Sequence, residues 1–207
     1  MADDLILYTH PHSRGRIARW MLEEVGAPYE TALLGYGASM KAPEYLAVNP
    51  LGKVPAIRHG DTVVTECAAI CAYLADAFPE AGLAPPPEAR GAYYRWLFFA
   101  SGPLEAAIVN ASLGWEVPPD RAGMVGYAPL PLLLDAIEGA LSEGFAAGPR
   151  FTAADVYLGS QIGWGMQFGT VEPRPAFRAY WERLAGRPAR ARAEAIDDAA
   201  AAALAPV

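Results

Sequence analysis

The 207-residue sequence predicts an α+β domain followed by an all-helical one. Three observations carry this prediction. An apolar strand, an amphipathic helix and a second strand follow one another over residues 5–33. A proline-initiated strand, a short turn, a return strand and a helix follow over 54–78. A single proline-rich stretch, Glu80 to Pro87, then separates this half from a remainder whose hydrophobic spacing is helical throughout. The expected division is 1–79, a linker at 80–87, and a helical domain at 88–207.

The elements follow in order. Leu5-Ile-Leu-Tyr8 is a short apolar strand, and Thr9-His-Pro-His12 must be loop because proline breaks the pattern. Ser13 stands where a helix cap is wanted. The helix runs to about Val25 with Ile17, Met21 and Val25 on its core face, and Gly26-Ala-Pro28 stops it. Tyr29 to Leu33 is the second strand, completing a βαβ unit expected to be parallel and right-handed. Lys41 to Leu46 is a short helix with Pro43 in its first turn.

A strand is expected from Val54, with Pro55 at its start, since proline has no N–H for a ladder. Val54–Pro55 is also the best candidate for a cis peptide. His59-Gly-Asp61 is a turn, Thr62-Val-Val64 returns, and Thr65-Glu66 opens a helix to about Phe78 expected to bury Ala69, Ile70, Tyr73, Leu74 and Ala77. An extended backbone edge beside a helix start with free N–H groups suits a peptide that carries a carboxylate.

After the linker, a helix from Glu88 to about Leu113 is expected to kink at Pro103. Another is expected from about Arg121 to Leu141, with Pro129 and Pro131 inside it. Phe151-Thr-Ala-Ala-Asp-Val156 reads as a capping box with a hydrophobic staple, opening a helix to about Phe168. Pieces near 175–185 and 188–195 follow, and the Ala-rich last residues are expected to fray.

Composition narrows the function classes. Sixteen basic against twenty-three acidic residues leave a net charge of −7, which argues against sequence-independent nucleic-acid binding or anionic membrane surfaces. No apolar run reaches the length of a membrane span. The acidic N-terminus leads straight into a strand, so no secretory signal is read there and a cytoplasmic location is expected. Cys67 and Cys71 lie one helical turn apart, a spacing that fits two small core residues better than a zinc or redox motif. No metal is expected.

Several stretches carry a family resemblance. Asn49-Pro50-x-Gly52-x-Val54-Pro55, Glu66-Cys67-x-Ala69-Ile70, Phe151-Thr152-x-Ala154-Asp155, Leu22-Glu23-Glu24-x-Gly26-x-Pro28-Tyr29-Glu30 and Arg187-Pro188-Ala189 occur in the order and spacing of cytosolic-type glutathione S-transferases. The resemblance implies a thioredoxin-like first domain, a helical second domain, a homodimer, and attack of the glutathione sulfur on a small hydrophobic electrophile. Ser13, five residues after Tyr8, resembles the thiolate-binding serine of the theta, phi and zeta classes. Arg14 follows it, where some bacterial relatives carry a cysteine. Arg14, Arg16 and Tyr8 are alternative sources of thiol activation.

By the same resemblance, the Val54 backbone should pair with the cysteinyl unit of glutathione beside Pro55. Glu66 should take the α-ammonium and the Cys67 N–H the γ-glutamyl carboxylate. Lys41 and Lys53 are placed to reach the glycine carboxylate. Lys41 matches the lysine of a phi-like His-Lys-x-Pro-Glu pattern, with Met40 in the histidine's place. Cys67 replaces the family's serine, a weaker donor, so weakened glutathione binding is expected. His12, Tyr36, Phe99 and Trp115 are candidates for the electrophile's surroundings. Two other activities remain open on the same fold: a glutathione-dependent disulfide or peroxide reductase, and a non-catalytic glutathione-binding or scaffold protein.

Overall fold

The structure, a computed structural model, describes residues 5–204. The first half builds a four-stranded mixed sheet in the order β2-β1-β3-β4, from β1 (Leu5–Thr9), β2 (Glu30–Leu33), β3 (Ala56–His59) and β4 (Thr62–Thr65). β1 pairs in parallel with β2, whereas β3 is antiparallel to both β1 and β4. The parallel pair follows from the intervening helix α1 (Gly15–Val25), which is long enough to return the chain. The antiparallel pair follows from the tight turn at Gly60.

Helix α2 (Pro43–Leu46) leads into β3, and α3 (Cys67–Ala77) follows β4. Leu5, Leu7 and Ile57 from the sheet, Ile17, Met21 and Leu22 from α1, and Ile70 and Leu74 from α3 are all buried. Strand β3 starts two residues later than expected, at Ala56, so Val54 lies outside the ladder.

The chain forms two compact units. One comprises 1–83 with 186–207, and the other 84–185. The first unit thus includes the final helix, α9 (Pro188–Ala203), which packs along α1. The Ala-rich stretch is helical as far as Ala203, well beyond the expected end near 195, and the last three residues, also expected to fray, lie outside the described residues. The physical cause is a side chain that the sequence pattern hides. Asp197 is fully buried, and its Oδ1 accepts from Arg19 Nε of α1 at 2.9 Å. Arg187 grips Glu24 with two bonds, Arg192 Nε donates to Glu23, and Arg16 Nη2 to Asp198.

The second unit carries α4 (Gly91–Phe99), α5 (Glu105–Ser112), α6 (Leu130–Ala140), α7 (Ala153–Phe168) and α8 (Pro175–Ala185). The expected break at Pro103 takes the form of a π turn, Ala100–Leu104, which accommodates the missing N–H without ending the helical path. The helix expected from Arg121 is shorter. Residues Pro119–Met124 form 3₁₀ turns, and α6 begins only at Leu130. Pro129 and Pro131 start this helix instead of interrupting it, because the first-turn N–H groups have no intrahelical acceptor to lose.

At the start of α7 the capping box is present as read. Asp155, fully buried, accepts from Thr152 N and Oγ1, from Ala146 N and from the Tyr180 hydroxyl. Among the described residues no helix is long and apolar enough to cross a membrane.

Candidate active site

The turn between β1 and α1 is built on the His10 carbonyl. It accepts from Ser13 N at 3.0 Å and from Ser13 Oγ at 2.7 Å. Ser13 Oγ in turn accepts from Gly15 N at 2.9 Å. The helix therefore begins at Gly15, two residues beyond Ser13, but the hydroxyl still satisfies one of its free first-turn N–H groups. Ser13 is half-buried, at the positive end of α1. Arg16 Nε donates to the Pro11 carbonyl, tying the loop to the helix.

His10 is 6% exposed, and its Nδ1 accepts the His12 N–H at 3.1 Å. In the neutral ring the proton is therefore assigned to Nε2. Burial holds the His10 imidazole below its usual pKa, and the His12 imidazole adds to this. The Tyr36 ring lies 4.1 Å from that of His10, centroid to centroid, and its hydroxyl donates to the His12 carbonyl at 2.9 Å. Two expected site residues, His12 and Tyr36, are thus exposed together beside Ser13. Tyr8 is committed to packing instead. Its ring lies 5.5 Å from Tyr45, against a cluster with Met40 and Ala56.

The loop before β3 is held from within. Asn49, buried, accepts from Leu51 N and donates through Nδ2 to the Lys53 carbonyl at 2.8 Å. The Tyr45 hydroxyl donates to the same carbonyl. Burial pushes this phenol up to about 12, so it remains a donor at neutral pH. Gly52 has φ +56°, and a Cβ there would stand 2.5 Å from the Met40 carbonyl oxygen, which excludes other side chains. The Val54–Pro55 bond is cis, with Pro55 buried and Val54 half-buried.

Lys41 Nζ donates to the carbonyls of Leu51 and Gly52, at 2.9 and 3.1 Å. That leaves one of its three donors uncommitted to them. Lys53 is exposed. The supporting roles of Tyr45 and Asn49 were missed in the sequence. Asn49 was visible as part of a motif, but Tyr45 gave no signal.

Glu66 caps α3 with φ 63° and ψ 116°, the one positive φ of a non-glycine among the described residues. Such a backbone costs energy and occurs where surrounding structure over-determines it, commonly at binding sites. Its side chain is exposed, beside the open N-terminus of α3. Cys67, 7% exposed, donates its thiol to the Arg14 carbonyl at 3.6 Å. This contact brings the start of α3 against the start of α1, so the Glu66–Cys67 pair lies near the turn that carries Ser13.

On the second unit, Phe99 is half-buried with its ring edge-on to Trp96 at 5.1 Å. Trp115 is 66% exposed, and its backbone N–H donates to the Asn110 carbonyl. Among the described residues no group of three His, Cys, Asp or Glu side chains could hold a metal ion.

This arrangement has known counterparts. The family model for the glutathione S-transferase N-terminal domain matches residues 3–76, and that for the C-terminal domain matches 130–188. Glutathione S-transferase 3 of Zea mays is 33% identical over 165 residues, covering 72% of this chain and 73% of its own. The structure of a glutathione S-transferase from Xylella fastidiosa superposes with a TM-score of 0.78 at 28% identity, covering 94% of this chain and 98% of its own. A theta class glutathione S-transferase from Xanthomonas axonopodis pv. citri, with glutathione bound, gives a TM-score of 0.74 at 26% identity over 92% of this chain and 97% of its own.

Proposed function

The chain belongs to the glutathione S-transferase family, and from that premise we propose that Ser13 stabilises the thiolate of glutathione for attack on small hydrophobic electrophiles. The observation that carries this is the Ser13 hydroxyl. It lies at the start of α1, accepting from Gly15 N and donating its proton to a neutral carbonyl that a charged acceptor can displace.

The energetics follow from that exchange. A free thiol has a pKa of about 8.5. Lowering it to about 6.5 takes roughly 2.7 kcal/mol of preference for the thiolate. Turning the Ser13 proton from His10 O to the sulfur gains a charge-assisted bond of about 1.5–3 kcal/mol and gives up a neutral one of about 0.5–1.5. The start of α1 adds about 0.3–1 kcal/mol. Together these supply roughly 2 kcal/mol and leave a modest remainder.

The tripeptide's other groups have matching partners. The Val54 backbone, outside the β3 ladder and next to Pro55, is free to pair with the cysteinyl unit as a short added strand. The exposed Glu66 carboxylate suits the α-ammonium. The Cys67 N–H, at the positive end of α3, suits the γ-glutamyl carboxylate. Lys53 offers a mobile charge for the glycine carboxylate, and Lys41 its remaining N–H. On the first unit, His12 and Tyr36 are the side chains we assign to the electrophile. Within the second unit, Trp115 is exposed, whereas the Phe99 ring is engaged with Trp96.

A homodimer, the family's habit, is consistent with the exposed apolar side chains Leu51 and Val63 on the first unit and Phe98 on the second. A cytoplasmic location remains part of the proposal.

The test is turnover of an aryl halide with glutathione. Ser13→Ala should cut kcat/KM by about tenfold or more, because about one pKa unit of thiolate stabilisation disappears. Unchanged turnover would remove Ser13 from the mechanism. A glutathione mixed disulfide, assayed in parallel, separates transferase from reductase chemistry. Absence of calorimetric binding at millimolar glutathione would instead favour a scaffold role.

A further inference from the structure

One hydroxyl beside Ser13 has no partner. Thr9 ends β1 and is fully buried, yet its Oγ1 makes no hydrogen bond. Its backbone is satisfied normally, with the carbonyl accepting from Leu34 N at 2.9 Å. Buried hydroxyls without partners are uncommon and costly, so their position is informative.

The position is defined by Gly15. A Cβ on Gly15 would stand 1.8 Å from Thr9 Oγ1 and 2.9 Å from Ser13 Oγ. The two hydroxyls therefore both border the point where a side chain on Gly15 would stand, a point the glycine leaves empty. Any larger residue at 15 would drive a methyl group into the Thr9 hydroxyl. The glycine keeps open the space that both oxygens border.

We propose that Thr9 is a positioning residue for thiolate formation: its hydroxyl donates to Ser13 Oγ once Ser13 turns its own proton to the glutathione sulfur. This rests on the assignment of Ser13 above. A serine oxygen that accepts from both Gly15 N–H and Thr9 O–H is more polarised than one accepting from Gly15 alone. Its own O–H becomes the stronger donor, as in any hydrogen-bonded chain. In the resting enzyme the Ser13 proton points to His10 O, and the Thr9 hydroxyl waits unpaired. In the thiolate complex the chain Thr9 O–H to Ser13 O–H to sulfur is complete. The cost of an orphaned hydroxyl is borne by the resting state and relieved when the thiolate forms.

The experiment compares Thr9→Val, which keeps the branched shape and removes the hydroxyl, with Thr9→Ser, which keeps the hydroxyl. Each full-length variant is saturated with glutathione. The pKa of the bound thiol is then read from thiolate absorbance and from the pH profile of kcat with an aryl halide. Thr9→Val should raise that pKa by about one unit, a tenfold loss of thiolate below the transition. Its Tm should stay the same or rise, since an unpaired buried hydroxyl has been removed. Thr9→Ser should keep the parent pKa.

A purely structural threonine predicts the reverse: the thiol pKa holds and only Tm moves. That result, or the same pKa shift in Thr9→Ser, overturns the proposal. Ser13→Ala, run alongside, separates the two assignments. If it shifts the thiol pKa and Thr9→Val does not, only the Thr9 role fails. If Ser13→Ala leaves the pKa in place, both fall. In the Ser13→Ala background, Thr9→Val should have no further effect.

Discussion

Removing Asp197 tests how the last helix is held. Its carboxylate and the Arg19 guanidinium are each 1% exposed, with Nε and Oδ1 2.9 Å apart. Burial pulls the Arg19 pKa down, but the Asp197 charge and the hydrogen bonds to Tyr29 and Asp197 together outweigh it and hold the guanidinium above its usual range. Burial pushes the Asp197 carboxyl up, opposed by Arg19, a neighbouring cation that does not deprotonate. Breaking such a pair from one side costs about 3–5 kcal/mol, because the remaining charge stays buried. Arg19 Nη1 keeps the Tyr29 hydroxyl and Thr31 Oγ1 as acceptors, which places Asp197→Ala near the lower end, at about 3 kcal/mol.

The double variant Arg19→Met/Asp197→Leu removes both charges and should recover about 2 kcal/mol of that loss. Urea denaturation of the parent and these two variants, followed by circular dichroism, measures both differences. An Asp197→Ala cost below about 0.5 kcal/mol, ordinary for a surface substitution, would refute the argument. So would a double variant no more stable than the single one.

Three further outcomes are expected. Cys67→Ser restores a strong hydroxyl donor at the start of α3 and should tighten glutathione binding by about three- to tenfold, a gain of roughly 1 kcal/mol; calorimetry that finds equal or weaker binding contradicts the γ-glutamyl assignment. Asp155→Ala strands the buried donors of Ala146, Thr152 and Tyr180, and should cost about 3 kcal/mol or more in chemical denaturation; a loss under about 1 kcal/mol would show that the box is dispensable. His10 has a native pKa below 6.5, so the unfolded chain binds its proton more readily. Its contribution is complete above pH 6.5 and declines as pH falls through 6.5 toward the native value. His10→Asn should flatten this part of the acid limb, and an unchanged slope in Tm against pH between about 5 and 6.5 would count against it.

What the sequence disclosed was what local chemistry controls. The capping box at Thr152–Asp155 spans four residues and was read in full. The Asn49–Pro55 stretch was legible for the same reason, since proline and glycine restrict the backbone wherever they stand. Ser13 was legible as a helix-start serine, although its hydroxyl reaches Gly15 from outside the helix. The misses are long-range. Arg19 and Asp197 are 178 positions apart, and the alanine-rich helix around Asp197 shows no apolar stripe to announce that it packs. Pro129 and Pro131 misled because a proline reads the same whether it opens a helix or breaks one. Thr9 was read only as loop, since nothing in its neighbours distinguishes an unpaired hydroxyl from a paired one.

The return of α9 to the first unit also sets a timetable for synthesis. A ribosome delivers roughly 5–20 residues per second, and domains ordinarily fold as they emerge. Arg19 leaves the ribosome 178 residues before the carboxylate that neutralises it, a wait of roughly ten to thirty-five seconds. Through that interval the sheet and α1 exist without their last layer, and a guanidinium destined for burial must stay in water. The second unit, continuous from 84 to 185, emerges whole in the meantime and has all its own residues in hand. The unit that is begun first is therefore finished last, and α1, which starts just after Ser13, reaches its final support only once α9 has emerged.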